Sequence, residues 1–215
     1  QCAGGVAMND APFLLDDALH PVGILENASF GWTLQHNDLC TAELRLPCED
    51  AANDLCVKLP WVHLQDGVRD LGVYRITGMP ASDVLPGGTR SYTLEHVLSL
   101  LLDDLIFGEM VFDGIGIRDA IQQLLAQQTV TRWVLDACDF AQTVALSMSN
   151  ISILEGIRKL CEELDAYTWE CDTSVLPFRL SIRKADAESK CGIHYGRNLT
   201  GIQMQLATTE LVTRL

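Results

Sequence analysis

Apolar and polar residues alternate with period two along much of this chain, a pattern that predicts strands with one buried face. Ala42, Leu44 and Leu46 alternate with Thr41, Glu43 and Arg45, and Pro47 ends the run. Phe178, Leu180 and Ile182 alternate in the same way with Arg179, Ser181 and Arg183. Further strands are predicted at Ala28 to Leu34, Gly72 to Thr77, Ser91 to Leu94, Arg132 to Leu135, Val144 to Met148 and Tyr167 to Cys171. Val57 to Leu64 reads as another, interrupted by Pro60. His36-Asn37-Asp38 and Asp66-Gly67 read as turns, Cys48 to Asp54 as an acidic loop, and Pro80 to Arg90 as a long loop around Pro86-Gly87-Gly88. Residues 1–26 show no clear period and read as a loose lead-in.

The period changes after Leu94. Val97, Leu101 and Leu105, with Leu98 and Leu102 alongside, predict a helix over His96 to Leu105. Ile117, Ile121 and Leu124 form the stripe of a second helix, introduced by an Asp113-Gly114-Ile115-Gly116 turn. Ser152 and Glu155 match a capping box, so a third helix starts at Ser152 and buries Ile153, Leu154, Ile157, Leu160, Cys161 and Leu164. Alternation returns at the end. Ile202, Met204 and Leu206 alternate with Gln203 and Gln205, and then Leu211, Thr213 and Leu215 oppose Glu210, Val212 and Arg214. That last strand needs a partner, either from a continuing chain or from a neighbour.

Strands, then helices mixed with strands, then strands again, make the fold α+β. The expected arrangement is a β-barrel or sandwich split by an inserted α/β subdomain, with C-terminal strands returning to the barrel. Residues 1–26 would be the lead-in, 27–110 the first part of the barrel domain, 111–190 the insertion, and 191–215 the returning strands and the start of a following domain.

The chain has 215 residues, enough to bury a sizeable core, and its 48% apolar content is incompatible with general disorder. No stretch approaches the roughly 20 apolar residues that span a bilayer. The N-terminus lacks both an initiator Met and a basic segment before an apolar run, so a secretion signal is not expected. A net charge of −14 repels phosphates and anionic membranes, which argues against sequence-specific nucleic-acid binding and membrane insertion.

Candidate chemistry is sparse. The eight cysteines form no CxxC pair, and the Cys40, Cys48, Cys56 spacing does not match paired metal ligands, so buried thiols are favoured over zinc. Such scattered cysteines fit a reducing interior better than a disulfide-stapled domain. The Gly-rich run before the second helix completes no phosphate-binding pattern. His36 and Asp38 form an H-x-D pair that reads as polar turn chemistry. Cys161 with His96 is a conceivable dyad, although Cys161 lies on an apolar stripe. The acid pairs Asp16-Asp17, Asp103-Asp104 and Glu162-Glu163 read as solvated faces, because adjacent helical residues do not converge. Trp32, Trp61, Trp133 and Trp169 lie in strand-like runs, where core packing is the expected use. No catalytic, cofactor-binding or metal residue is therefore expected. The alternative classes are a cell-wall peptidase or glycosidase and a receptor- or carbohydrate-binding module.

Several phrases together resemble the N-terminal region of phage minor structural proteins, the baseplate-hub or tail-tip family that includes prophage tail endopeptidase-like proteins. They are Thr41-Ala42-Glu43-Leu44-Arg45-Leu46-Pro47, Tyr74-Arg75-Ile76, Tyr92 with Glu95-His96-Val97-Leu98, Leu154 with Ile157, Trp169 through Asp172 with Pro177, Tyr195-Gly196-Arg197-Asn198-Leu199, and Thr213-Arg214-Leu215. The resemblance implies a structural virion protein. Its members form a homotrimer at the end of the tail tube, each subunit carrying two tube-like barrels, and Thr213-Arg214-Leu215 would lead into the second. Implied partners are the distal tail ring, the tape-measure protein and the fibre or receptor-binding proteins. The structural motif positions are Tyr74, Arg75, Glu95, His96, Trp169, Arg197, Asn198, Thr213 and Arg214. On this reading part of the negative charge lines a lumen through which the genome passes by repulsion.

Overall fold

The computed structural model describes residues 11–78 and 87–185. Strand accounts for 50% of them and helix for 20%, so the α+β fold is weighted toward strand.

The chain opens with β1 (Phe13–Leu15) and β2 (Pro21–Ile24), an antiparallel hairpin in the stretch where no period is visible. Strands of three and four residues are too short to show a repeat. β3 (Ser29–Thr33) and β4 (Thr41–Pro47) follow. The end of the expected acidic loop and the start of the Pro60-interrupted strand are instead a helix, α1 (Ala52–Lys58). Its Asn/Asp-rich start supplies the backbone partners. The Ala52 N–H donates to Asp50 Oδ1 at 2.8 Å, and the Asn53 carboxamide donates to the carbonyls of Pro47 at 2.8 Å and Asp50 at 2.8 Å. Pro60 therefore separates helix from strand and interrupts neither.

β5 (Trp61–Asp66), β6 (Arg69–Gly78) and β7 (Thr89–His96) complete a seven-stranded antiparallel sheet of order β2-β1-β5-β6-β7-β4-β3. One face gathers Leu14, Leu44, Val62, Leu64, Tyr74, Tyr92 and Leu94 into a single core. The buried Tyr92 hydroxyl donates to Asn53 Oδ1 at 2.8 Å, which ties α1 to this core. The sheet is coiled. Arg69 of β6 lies over the Trp32 ring of β3 at 5.4 Å, although three strand spacings, roughly 14 Å on a flat sheet, separate those strands. Its edges, β2 and β3, are not paired with each other, so the part expected as a β-barrel or sandwich is, among the described residues, a sheet not closed into a barrel.

After a 3₁₀ turn at Val97–Ser99 come α2 (Leu100–Asp103), β8 (Leu105–Gly116), α3 (Ile117–Leu125), β9 (Trp133–Cys138), β10 (Thr143–Ser152), α4 (Ile153–Glu162), β11 (Tyr167–Asp172) and β12 (Phe178–Lys184). The single helix expected over His96 to Leu105 is thus shorter. Val97 and Leu101 are buried as its stripe requires, but Leu105 already belongs to a strand. Asp113 to Gly116, expected as a turn, are the end of β8, and Gly116 is the extended N-cap of α3. The capping box of α4 forms as expected: Glu155 N–H donates to Ser152 Oγ, and Ser152 N–H to Glu155 Oε2, each at 3.2 Å.

β8 and β10 form a two-stranded antiparallel ribbon, and β11-β12-β9 a three-stranded sheet in which β12 and β9 run parallel. A second core fills the space between these elements, centred on Trp133, Ile121, Leu124, Ile157, Leu160 and Phe178. It also takes in Leu15, Trp61 and Val73, whose side chains leave the opposite face of the seven-stranded sheet because their neighbours Leu14, Val62 and Tyr74 fill the first core. The alternating runs at 202–206 and 211–215 lie outside the described residues.

Candidate assembly surface

The motif positions of the first half converge on adjacent strands. Register places Tyr74 of β6 opposite His96 of β7, and Arg75 opposite Glu95. Because side chains alternate, the two pairs lie on opposite faces of the sheet. Tyr74 and His96 are buried and meet edge to face at 5.5 Å, and Trp133 lies 6.4 Å beyond His96. His96 Nδ1 accepts the Leu98 N–H at 3.3 Å, capping the 3₁₀ turn. Burial disfavours the imidazolium and lowers its pKa to about 4, so this histidine is neutral at physiological pH. Arg75, partly buried on the face that also carries Trp61, makes an ion pair with Asp103 at the end of α2 and lies 4.0 Å from Glu95. Trp169 of β11 donates its backbone N–H to Asn37 Oδ1 at 2.9 Å, and Asn37 Nδ2 donates to the Tyr167 carbonyl at 2.9 Å. These bonds staple the β3–β4 turn to β11. Arg197, Asn198, Thr213 and Arg214 lie outside the described residues.

The groups examined for catalysis have structural partners. Burial pushes the Cys161 thiol up to about 12 and that of Cys56 up to about 11, which leaves both protonated and unreactive. Cys40, Cys48, Cys56, Cys138, Cys161 and Cys171 are free thiols. His63 Nε2 is 2.9 Å from Asp70 beside an apolar pocket of about 280 Å³, but Ser174 on its rim donates to Asp172 at 2.6 Å. Asp16 accepts the N–H groups of Ala18 and His20, Asp17 accepts the Trp61 indole, and Asp104 accepts Thr129 N–H. Among the described residues no group of three or more His, Cys, Asp or Glu side chains could hold a metal ion, and no helix is long and apolar enough to cross a membrane.

What the structure does expose is strand. Both edges of the β8–β10 ribbon and the β2 edge of the large sheet carry backbone groups with no strand partner among the described residues. One side of the ribbon is packed by α3 and α4, which bury Ile106, Phe112, Val144 and Met148. The other side shows Phe107, 83% exposed, with Val111, Glu109 and, across from them on β10, Ser147 and Ser149. Phe107 and Val111 thus put apolar side chains on the solvent side of a strand of 12 residues. Sequence reasoning found β10, at Val144 to Met148, but missed β8, whose outward face is itself apolar, which blurs the period. The signal available was Phe107-Gly108 followed by Val111-Phe112, a β-rich run between two helices.

No protein-family model matches this chain, and no curated protein does. Solved structures do. The tail protein from Neisseria meningitidis MC58 matches with a TM-score of 0.51 and 11% identity over 83% of this chain and 52% of its own length. The 43 kDa tail protein of prophage MuSo2 from Shewanella oneidensis gives 0.52 and 11% over 82% of this chain and 55% of its own. The E. coli c3393 protein, described as a component of the type VI secretion system with structural similarity to T4 bacteriophage tail proteins gp27 and gp5, gives 0.51 and 11% over 83% and 47%. This chain spans about half the length of the proteins it matches. At this identity the likeness is one of fold alone.

Proposed function

We propose that this chain is a structural component of the tail tip or baseplate hub of a phage or prophage-like particle. It would close the end of the tail tube and connect it to distal tail and host-attachment proteins. The observation that carries this reading is the fold shared with two tail proteins and a secretion-system relative over more than four-fifths of the chain. The edges of the β8–β10 ribbon, which have no strand partner among the described residues, support it: closed symmetry can satisfy such edges. In this reading the tube-like part is residues 27–110, the insertion 111–190, and residues 191–215 return strands and lead onward. Copies assemble as a homotrimer against the distal tail ring and the tape-measure end, with fibre or receptor-binding proteins below. Part of the −14 charge faces the bore, where phosphates pass without adhering.

Mass photometry of the chain co-expressed with its distal tail protein tests the assembly. A trimer and a trimer-containing complex are expected, and a persistent monomer beside its partner overturns the proposal. A cryo-EM map of that complex tests the charge separately: a neutral or basic bore refutes the acidic lumen.

A further inference from the structure

Arg69 opens β6 of the large sheet. Arg45, Arg75, Arg158 and Arg183 each pair with a carboxylate. Arg69 has no carboxylate within ion-pair distance among the described residues, in a chain that carries 29 acidic side chains. It is held instead over the Trp32 ring at 5.4 Å, an arrangement that fixes the guanidinium plane without neutralising it. Trp32 and Arg69 form one wall of a cleft of about 630 Å³, within the roughly 300–1,000 Å³ typical of small-molecule sites.

The rest of the cleft narrows the ligand class. Its lining continues through Thr33, Gln35, His36 and Asp38 of the β3–β4 connection. Asp38 is engaged at Oδ1 by the Leu39 N–H and by Arg158, which anchors the carboxylate while leaving Oδ2 without a partner among the described residues. An anion carrying only acceptors, such as a phosphate, would meet that carboxylate head-on. A ligand with both a carboxylate and hydroxyl donors satisfies the two opposite charges at once: the carboxylate takes the Arg69 fork and hydroxyls donate to Asp38 Oδ2 and Gln35. Thr33, Gln35 and His36 add neutral groups that can donate or accept. The turn that presents these groups is fastened to β11 through Asn37. The site therefore sits on a supported connection, as a preformed binding site requires.

We propose that the Trp32–Arg69 cleft binds a glycan bearing a carboxylated sugar. The inference is independent of the tail-tip reading, since it uses only the geometry of this cleft.

Trigalacturonate, its fully methyl-esterified form and triglutamate are the probes. Saturation-transfer NMR and tryptophan fluorescence titration are the readouts, on the full chain, its Arg69→Met and its Arg69→Lys variants. Trigalacturonate is expected to bind, and roughly tenfold more tightly than the methyl ester, which keeps every hydroxyl but loses the charge. R69M should lose that preference and R69K recover only part of it, because an ammonium lacks the bidentate fork. Thermal midpoints of both variants within a degree or two of the parent confirm that the cleft, and not the fold, is being read. No transfer from trigalacturonate, equal binding of its ester, or an unchanged R69M overturns the site. Triglutamate binding as tightly as trigalacturonate overturns the sugar assignment in favour of an acidic peptide.

Discussion

At the scale of single residues, His96 couples stability to pH. Its pKa is about 4 in the fold against an ordinary value of 6.5, because it is buried between Tyr74 and Trp133. Between those two values the unfolded chain binds a proton that the folded chain refuses. Stability should therefore fall as pH drops through that window and owe nothing to His96 above it. The full interval corresponds to about 3 kcal/mol. Denaturant midpoints stepped through the window check this: the His96→Gln profile should be flatter than the parent's, and parallel profiles would rule the coupling out. Gly72 is a second residue with little freedom. Its φ is +87°, and a Cβ there would lie 2.9 Å from Thr173 Oγ1 and 3.3 Å from His96 Nε2. Thr173 in turn accepts the Val73 N–H at 3.1 Å. Gly72→Ala should cost about 1–3 kcal/mol in thermal unfolding. Gly31→Ala, with nothing within 4 Å of its Cβ, should change stability by less than about 0.5 kcal/mol.

At the scale of elements, α4 depends on its capping box, and Ser152→Ala should lower stability by about 1 kcal/mol in chemical denaturation. The connection from α3 to β9 depends on one side chain. Gln128 Nε2 donates to the carbonyls of Leu125 and Trp133 at 2.7 Å each, and its Oε1 accepts the N–H groups of Arg132 at 3.1 Å and Trp133 at 2.9 Å. Gln128→Ala strips four backbone groups of a partner, and a loss of about 2–3 kcal/mol is expected. A midpoint unchanged from the parent would mean that water replaces the amide without cost. The same elements show what a sequence can reveal. α3, α4, β4 and β12 were legible because each buries one clean face and so imposes its period on the residues. β1 and β2 were too short to repeat. α1 hid behind Asn and Asp, which favour turns and caps alike. β8 was obscured because Phe107 and Val111 give it apolar residues on its solvent side. The motif residues on β6 and β7 were visible as words, but that Tyr74 faces His96 and Arg75 faces Glu95 is a matter of register. The approach of Arg69 to Trp32 comes from sheet coiling, which no local pattern records.

At the scale of the molecule, the β8–β10 ribbon is where association should be felt first. Phe107→Lys with Val111→Lys places two charges on its bare face while leaving the buried Ile106 and Phe112 untouched. In the proposed hub this pair should abolish the trimer in mass photometry and shift the monomer's unfolding by no more than about 1 kcal/mol, as surface changes do. A trimer that survives both charges would move the interface elsewhere. The large sheet carries another consequence. It is clad on one side by its own strands and on the other, at Leu15, Trp61 and Val73, by the elements that follow it. A fragment cut after His96 would bring those three side chains into water. Such a piece should precipitate on expression, so the two halves of this polypeptide must be inherited, expressed and engineered together.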